Sequence, residues 1–341
     1  MTFCKGVIII KLYENKLVDG RGLSILACFN SFMKYALQAI NISKSYGDFT
    51  ALDDVTIKVP KGSIYGLLGP NGAGKTSLIR IINQITVPDQ GQVLLNDEAL
   101  EPKHIANIGY MPEERGLYKS MKVGEQCIYL ARLKGLSKSE AKEKLEYWFD
   151  RLGMQGWWNK KLQELSKGMA QKVQFIVTVL HEPDLLIFDE PFSGFDPVNA
   201  NLIKDEILNL RDQGSTIIFS THRMESVEEM CDHISLINKS RVVLEGPLNS
   251  VRDSYRNRTY TTSLIAPNQA AVIATLQTSM SVRPIEIKGL DNTIDLELQI
   301  PENLNVSNVL QQLTSLGELT HFSEVIPSVN EIFIRKVSDN G

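Results

Sequence analysis

Residues 69–77 read GPNGAGKTS and combine three glycines with a lysine and two hydroxyl side chains. They stand between an apolar, strand-like run at 63–68 and a helix-like run at 75–84. In this G-x-x-x-x-G-K-[ST] pattern, the glycines let the backbone curl so that its N–H groups and the start of the helix face a polyphosphate. Lys75 can reach the outer phosphates, and the Thr76 hydroxyl can bind Mg²⁺. The pattern therefore predicts a nucleoside triphosphate site formed by the whole loop: Gly69, Pro70, Asn71, Gly72, Ala73, Gly74, Lys75, Thr76 and Ser77.

A pair of carboxylates ends a second apolar run further along the chain, where residues 184–190 read DLLIFDE. A run that is apolar on both faces is typical of a buried parallel strand, and open α/β sheets bind ligands at the carboxyl ends of such strands. We assign Asp189 to Mg²⁺ binding and Glu190 to orienting and deprotonating an attacking water. The plain alternative, a strand followed by an exposed acidic turn, is disfavoured by the phosphate-binding loop upstream.

A helix that begins near residues 165–171 (LSKGMAQ) offers a second place for an anion. Ser166 is its predicted N-cap, and Gly168 lies in its first turn. This helix start is either an ordinary capped N-terminus or a site for a γ-phosphate. Its position shortly before the acidic strand favours the phosphate site.

Two short segments complete the set of candidate site residues. Residues 193–196 (SGFD), which end in Asp196, follow the acidic strand directly. Residues 216–222 (TIIFSTH) predict another buried strand that ends in His222. A histidine at a strand end is usually structural, but this one lies on the next βαβ unit after Glu190. We therefore expect its side chain to approach the same phosphate.

These segments, in this order, resemble the ATP-binding subunit of an ABC transporter, over roughly residues 35–248. GPNGAGKT is similar to the Walker A motif, LSKGM to the LSGGQ signature, LLIFDE to Walker B, SGFD to the D-loop and STH to the H-loop. The resemblance implies ATP as the nucleotide, Mg²⁺ as the metal and ATP hydrolysis as the reaction. It also implies that Tyr46 stacks on adenine, that Ser166, Gly168 and Asp196 contact nucleotide, and that Lys75, Glu190 and His222 act in catalysis.

The sequence departs from the family pattern at three positions. Glu113 stands where the family usually has a glutamine that contacts Mg²⁺ and water, and it adds a negative charge there. In the signature, Lys167 replaces a glycine and Met169 a glutamine. We interpret Lys167 as partly offsetting Glu113 across a dimer interface. These variants resemble the branch of ABC-2-type exporter ATPases that includes NatA-type sodium exporter proteins.

The resemblance also implies partners. Two copies of the chain are expected to enclose two ATP molecules head to tail, as a homodimer. A separate polytopic membrane subunit would carry the pore, which places the chain in the cytoplasm, on the inner face of the plasma membrane. Tyr118, Met121 and Val123 are our candidates for the groove that receives that subunit. The alternative is a soluble single-unit ABC ATPase that acts in assembly or on ribosomes.

Composition agrees with a globular protein, since 43% of the 341 residues are hydrophobic and 22% are charged. A net charge of −4 leaves no polybasic face, which disfavours nucleic acid as the main partner. No apolar run approaches the roughly 18–20 residues that span a bilayer. The four cysteines are scattered, which indicates reduced thiols and no zinc site.

The predicted fold class is α/β: a P-loop NTPase (ABC ATPase) core with an antiparallel β edge layer and a helical subdomain, plus a small ferredoxin-like α+β domain at the C-terminus. The core is expected at 34–250, with the helical subdomain at about 121–165. Within that subdomain we predict a helix with Ser139 as N-cap and Gly153 as C-cap. Residues 1–33 are interpreted as an N-terminal extension, with Met33 as an alternative start of the native chain.

The C-terminal domain is expected at 258–337, where the apolar pattern restarts in the order β-α-β-β-α-β. Strands are predicted at 259–266, 283–288, 293–300 and 319–325, helices at 268–277 and 306–316, and a hairpin turn at 289–292. Bracing or a dimer contact is its expected role, ahead of small-molecule sensing.

Overall fold

The computed structural model describes residues 35–114, 116–285 and 293–339. The chain forms two compact units, one from the residues up to His222 with Met230–Glu245 and one from Arg223–Glu229 with the residues from Gly246 onward. The expectations for residues 1–33, for a start at Met33 and for the turn at 289–292 lie outside the described residues.

The first two thirds of the chain contain ten strands and six helices within the described residues. In order they are β1 (Tyr35–Tyr46), β2 (Phe49–Pro60), β3 (Ile64–Leu68), α1 (Lys75–Ile82), β4 (Gln90–Leu95), β5 (Glu98–Ala99), β6 (Ile108–Met111), α2 (Val123–Leu133), α3 (Lys138–Arg151), α4 (Lys167–Val179), β7 (Leu185–Asp189), α5 (Pro197–Asp212), β8 (Thr216–Ser220), α6 (Met224–Met230), β9 (His233–Asn238) and β10 (Arg241–Pro247). Short 3₁₀ turns occupy Pro102–Asn107, Gln155–Trp157 and Leu162–Glu164.

Two sheets build the first unit. One has the order β10-β9-β3-β8-β7-β6, and its pairs β9–β3, β3–β8, β8–β7 and β7–β6 are parallel. Strands β3, β7 and β8 are buried along their whole length, which explains why their sequences are continuous apolar runs. The other sheet, β2-β1-β4-β5, is antiparallel and is the predicted edge layer. A shared apolar cluster joins both sheets to α1.

The helical part between β6 and β7 begins its second helix earlier than predicted. The N-cap of α3 is Ser137, not Ser139, because Ser137 and Glu140 form a capping box in which each side chain accepts the other's backbone N–H. Gly153 follows the helix end with a φ of +68°. One side of this helical segment packs into the interior, since these four side chains are all buried: Ala141, Leu145, Trp148 and Leu152.

The second unit contains a small antiparallel sheet covered by helices. Its elements are α7 (Leu248–Ser254), β11 (Thr259–Ile265), α8 (Gln269–Gln277), β12 (Ser281–Pro284), β13 (Thr293–Gln299), α9 (Val306–Leu316), β14 (Glu318–Glu324) and α10 (Val329–Asp339). The strand order β12-β13-β11-β14 is that of a ferredoxin-like fold, as predicted. Strand β12 begins at Ser281, opposite Gln299 of β13, which is earlier than the predicted 283–288, and residues 286–288 of that prediction lie outside the described residues. Helix α10 had not been predicted, and it buries Val329 and Ile332.

No helix in the described ranges is both long enough and apolar enough to cross a membrane.

Candidate nucleotide site

The loop between β3 and α1 is shaped by glycines that lie tight against neighbouring backbone. Gly74 has a φ of +115°, and a Cβ placed there would lie 2.3 Å from the Ala51 carbonyl oxygen. Gly69 has a φ of +149°, and its Cβ would lie 2.2 Å from the Ile237 carbonyl oxygen. No other residue type fits either position, so the curled loop predicted from the sequence depends on these two glycines.

Lys75, the first residue of α1, is turned into this loop. Its ammonium group donates hydrogen bonds to the Gly69 carbonyl at 2.6 Å and to the Pro70 carbonyl at 3.0 Å. The residue is 8% exposed. Burial lowers the pKa of Lys75, and the nearby carboxylates of Glu190 and Asp189 act in the opposite direction. Two backbone carbonyls thus hold the lysine ammonium in the loop, and phosphate oxygens could take their place as hydrogen-bond acceptors.

A pocket of about 350 Å³ opens in front of Lys75. It brings together the glycine loop, the segment after β6, the end of β7 and the end of β8. Its walls are formed by Phe49, Ala51, Asn71, Gly72, Gly74, Lys75, Thr76, Ser77, Glu113, Asp189, Glu190 and His222. Residues that the sequence assigned to phosphate, Mg²⁺ and water chemistry therefore share one cavity.

Three oxygen donors of this pocket could hold a divalent cation. Asp189 is 5% exposed, and burial raises the pKa of its carboxyl group, which the charges of Glu113 and Glu190 raise further. The Thr76 hydroxyl and the Glu113 carboxylate line the same cavity. Hydroxyl and carboxylate oxygens are the ligands that Mg²⁺ prefers, and a cation would relieve the repulsion among these carboxylates. The residues present therefore fit Mg²⁺.

Glu190 is held by the residues that follow β8. Its Oε1 lies 2.6 Å from His222 Nδ1 and accepts the His222 backbone N–H at 2.8 Å, while Oε2 accepts the Thr221 hydroxyl at 3.2 Å. The Glu190 backbone has a φ of +50°, a left-handed conformation that is uncommon outside glycine. Its N–H donates to the Ser220 carbonyl at 2.9 Å, so β8 fixes both its backbone and its carboxylate.

The three predicted nucleotide contacts from the signature and the D-loop do not line this pocket. Ser166 is the N-cap of α4, as predicted, and its hydroxyl accepts the Met169 N–H at 3.2 Å. Gly168 lies in the first turn of that helix. Asp196 caps α5 by accepting the Val198 and Asn199 N–H groups. Each is therefore placed at the start of a helix rather than beside Lys75.

An aromatic residue that the sequence analysis missed lies in the pocket wall. Phe49 is 58% exposed there, and Tyr46 pairs with it directly across the β1–β2 turn. Tyr46 is 45% exposed and has the Lys44 ammonium 5.6 Å from its ring centroid. The tight turn between the two aromatic residues was the sequence signal that could have identified Phe49, because residues that face each other across a hairpin lie on the same side of it.

The groove candidates beside the Glu113 segment divide into exposed and buried residues. Tyr118 is exposed, and its ring packs edge-on against that of Tyr129 with 6.5 Å between centroids. Met121 is half-buried. Val123 is 0% exposed, so its assignment to a docking groove was wrong. Its N–H donates to the Lys160 carbonyl, and this later segment covers the start of α2.

Comparison with protein families gives matches to both units. Residues 52–193 match the family model described as ABC transporter. Residues 246–337 match the model described as ATP-binding protein DrrA1-3-like, C-terminal domain. A model described as AAA domain, putative AbiEii toxin, Type IV TA system, matches residues 159–228, which include α4 and β7.

Individual relatives extend this similarity along the chain. The uncharacterized ABC transporter ATP-binding protein YhaQ of Bacillus subtilis is 39% identical over 298 residues, which are 87% of this chain and 97% of YhaQ. The ABC transporter ATP-binding protein NatA of the same organism is 36% identical over 211 residues, 61% of this chain and 86% of NatA. Nod factor export ATP-binding protein I of Cupriavidus metallidurans is 32% identical over 225 residues, 65% of this chain and 74% of that protein.

Solved structures agree with the fold. A structure titled as the ATP binding subunit of an ABC transporter superposes with a TM-score of 0.61 and 30% identity, covering 64% of this chain and 93% of that one. The chain belongs to the family of ABC transporter ATP-binding proteins. It is an ATPase of the P-loop class, and the resemblance to NatA-like exporter ATPases that its motifs predict is confirmed.

Proposed function

We propose that this ATPase energises an ABC-2-type membrane exporter, and that two copies close head to tail around two ATP molecules. The observation that carries the proposal is the separation of its phosphate-binding groups. Lys75, Glu190 and His222 share one pocket, whereas Ser166 and Gly168 lie at the start of α4 and outside the wall of that pocket. A second copy, applied by a twofold axis, would supply its own α4 start to complete each site.

Within one site, each group has a distinct task. The loop N–H groups and Lys75 bind the β- and γ-phosphates, and Lys75 exchanges the Gly69 and Pro70 carbonyls for phosphate oxygens. Thr76, Asp189 and Glu113 would hold Mg²⁺, which when bound neutralises charge on the phosphates. Tyr46, with Phe49 beside it, forms a stacking surface for adenine.

Hydrolysis needs a base in a fixed position. Glu190 takes a proton from the attacking water, and its carboxylate is already oriented by Thr221 and His222 before nucleotide arrives. His222 then faces the γ-phosphate from the end of β8 and stabilises the charge that develops in the transition state. Asp196, at the start of α5, faces the second copy across the interface.

Coupling of ATP hydrolysis to export requires a partner protein that crosses the membrane. Tyr118 and Tyr129 form an exposed aromatic pair beside the Glu113 segment, a composition enriched at protein interfaces. The name of the Cupriavidus relative includes export, which supports the same direction here. The chain would then work in the cytoplasm, bound to the inner face of the plasma membrane through that partner. The net charge of −4 disfavours nucleic acid as the main partner.

Affinity purification tests whether the chain binds a membrane partner. Tagged Glu190→Gln protein is recovered from detergent-solubilised cells with ATP and Mg²⁺, and its companions are identified by mass spectrometry. We expect a polytopic membrane protein in near-equal amount. Tyr129→Ala in the same background should reduce its recovery, while Tyr147→Ala, an exposed tyrosine on α3, should leave recovery unchanged. Recovery of only soluble proteins or ribosomes contradicts the exporter and favours a soluble ABC ATPase.

A further inference from the structure

Helix α4 carries two side chains to the segment that follows the catalytic carboxylate. Gln171 donates from Nε2 to the Pro191 carbonyl at 3.3 Å. Lys167 lays its hydrocarbon stem against Gly194, where a Cβ would meet Lys167 Cε at 2.5 Å, Cδ at 2.7 Å and Cγ at 3.0 Å. One helix therefore contacts the chain one and four residues after Glu190.

The segment from Glu190 to Asp196 consists of turns. The Ser193 N–H donates to the Glu190 carbonyl at 3.1 Å, and the Phe195 N–H donates to the Phe192 carbonyl at 3.3 Å. Glu190 and Gly194 both have left-handed φ values, +50° and +91°. Such turns have few bonds of their own, so outside contacts decide how firmly they hold one conformation.

The contact with Gly194 is made by the stem of Lys167 and not by its charge. Among residues 35–114, 116–285 and 293–339, Lys167 forms no salt bridge. Its side chain instead shares the wall of a cavity of about 610 Å³ with Glu113, Glu114, Gln171 and Ser193. Lys167 and Glu113 thus line one cavity of a single chain. A long side chain of this kind commonly packs its methylenes while its ammonium stays hydrated.

We propose that Lys167 is a positioning residue that holds the turn at residues 193–195 through its hydrocarbon stem, and thereby fixes the chain that leaves Glu190. The effect on turnover rests on the role of Glu190 in the proposed function. The effect on the turn itself does not, because it requires neither nucleotide nor a second copy. Gln171 supports the same segment at Pro191.

Two variants separate the stem from the charge. Lys167→Ala removes the stem and keeps a residue that favours the helix start, whereas Lys167→Met keeps a long apolar side chain and removes the charge. Amide hydrogen exchange of a peptide spanning 191–196 is measured in the nucleotide-free protein. We expect exchange about fivefold or more faster in Lys167→Ala and within about twofold of the parent in Lys167→Met. Unchanged exchange in Lys167→Ala, or equally fast exchange in both variants, overturns the proposal.

Steady-state ATP hydrolysis provides the second measurement. For Lys167→Ala we expect kcat to fall about tenfold with KM for ATP within about twofold, because a misplaced base slows chemistry without weakening phosphate binding. Lys167→Met should restore most of the rate. The unfolding temperature should be the same in all three proteins, since Lys167 is exposed. Faster exchange in Lys167→Ala with an unchanged kcat would show that Lys167 holds the turn but that the turn does not position Glu190, and it would overturn that part of the proposal.

Discussion

Glu190 and His222 form a hydrogen-bonded pair, with 2.6 Å between the carboxylate Oε1 and the imidazole Nδ1. The backbone N–H of His222 donates to the same oxygen at 2.8 Å. The carboxylate is therefore oriented by the end of β8, and it does not wait for nucleotide to arrange it. A base that is placed in advance loses little freedom in the reaction, which is how positioning contributes to rate.

Replacing Glu190 by glutamine keeps the shape of the side chain and removes its ability to take a proton. We expect Glu190→Gln to lower kcat by about 10² or more while ATP binds with nearly the parent affinity. Phosphate release and nucleotide binding are measured on the same preparation. Glu114→Gln, a neighbouring carboxylate that does not line the pocket, is the matched control. Hydrolysis by Glu190→Gln at the parent rate refutes its assignment as the base.

Lys75→Ala should weaken ATP binding and stop hydrolysis. The substitution removes a charged partner of the phosphates and also leaves the Gly69 and Pro70 carbonyls without their ammonium donor. The loss of charge-assisted hydrogen bonds corresponds to about 10-fold or more in the dissociation constant. Calorimetric titration with ATP measures it, and Lys61→Ala, at an exposed turn, is the control. Equal affinities for the two variants would contradict the role of Lys75.

Two glycines of the loop should respond differently to alanine. Gly74→Ala brings a Cβ to 2.3 Å from the Ala51 carbonyl oxygen, whereas a Cβ at Gly72 has nothing within 4 Å. Both positions have positive φ, so each pays the backbone strain of about 1 kcal/mol, and only Gly74→Ala adds a backbone clash. We expect Gly74→Ala to abolish ATP binding and Gly72→Ala to weaken it modestly. Equal effects in a titration would show that the loop is less tightly packed than described.

Asp189→Asn should stabilise the nucleotide-free protein while it stops Mg²⁺-dependent hydrolysis. Burial raises the pKa of Asp189 in the folded chain above its ordinary value of 3.8, so the folded chain binds the proton more tightly than the unfolded one. The contribution of Asp189 to the free energy of unfolding therefore falls as the pH rises from 3.8 through the pKa of Asp189 in the folded chain. Above that pKa the contribution is lost completely.

Asparagine removes that penalty at pH 7, so the free energy of unfolding should rise. Denaturant unfolding without metal measures the gain, which should shrink as the pH is lowered toward 3.8. Asp212→Asn, at an exposed site, should show no such gain. A destabilised Asp189→Asn protein would mean that hydrogen bonds to the carboxylate outweigh its burial.

The sequence predicted the parts of the site that follow from local rules. The glycine loop, the two buried strands that end in Asp189 and in Ser220, and the Ser166 cap all depend on neighbouring residues. The choice between Ser137 and Ser139 as the N-cap of α3 also depends on neighbouring residues. Ser137 has Glu140 three residues on, whereas Ser139 has a lysine there, so the capping-box rule separates them.

Contacts between distant segments could not be predicted from the sequence. Val123 was taken for a surface residue, but the chain near Lys160 covers it. The contact of the Lys167 stem with Gly194 was not predicted either, because Gly194 lies in the segment after β7. Phe49 joins the pocket wall only because the edge sheet brings its turn beside the glycine loop. In each case the partner lies in a different element, and residue type and spacing along one element do not reveal it.

If two copies of the chain share two ATP molecules, the molar mass of Glu190→Gln must change when ATP binds. Light scattering is recorded after size exclusion without nucleotide and with ATP and Mg²⁺, and bound nucleotide is counted in the same fractions. We expect a monomer without ATP and a dimer with ATP that holds two nucleotides, while Lys75→Ala in the same background stays monomeric. A Glu190→Gln protein that binds ATP and remains a monomer at every concentration tested would contradict this expectation.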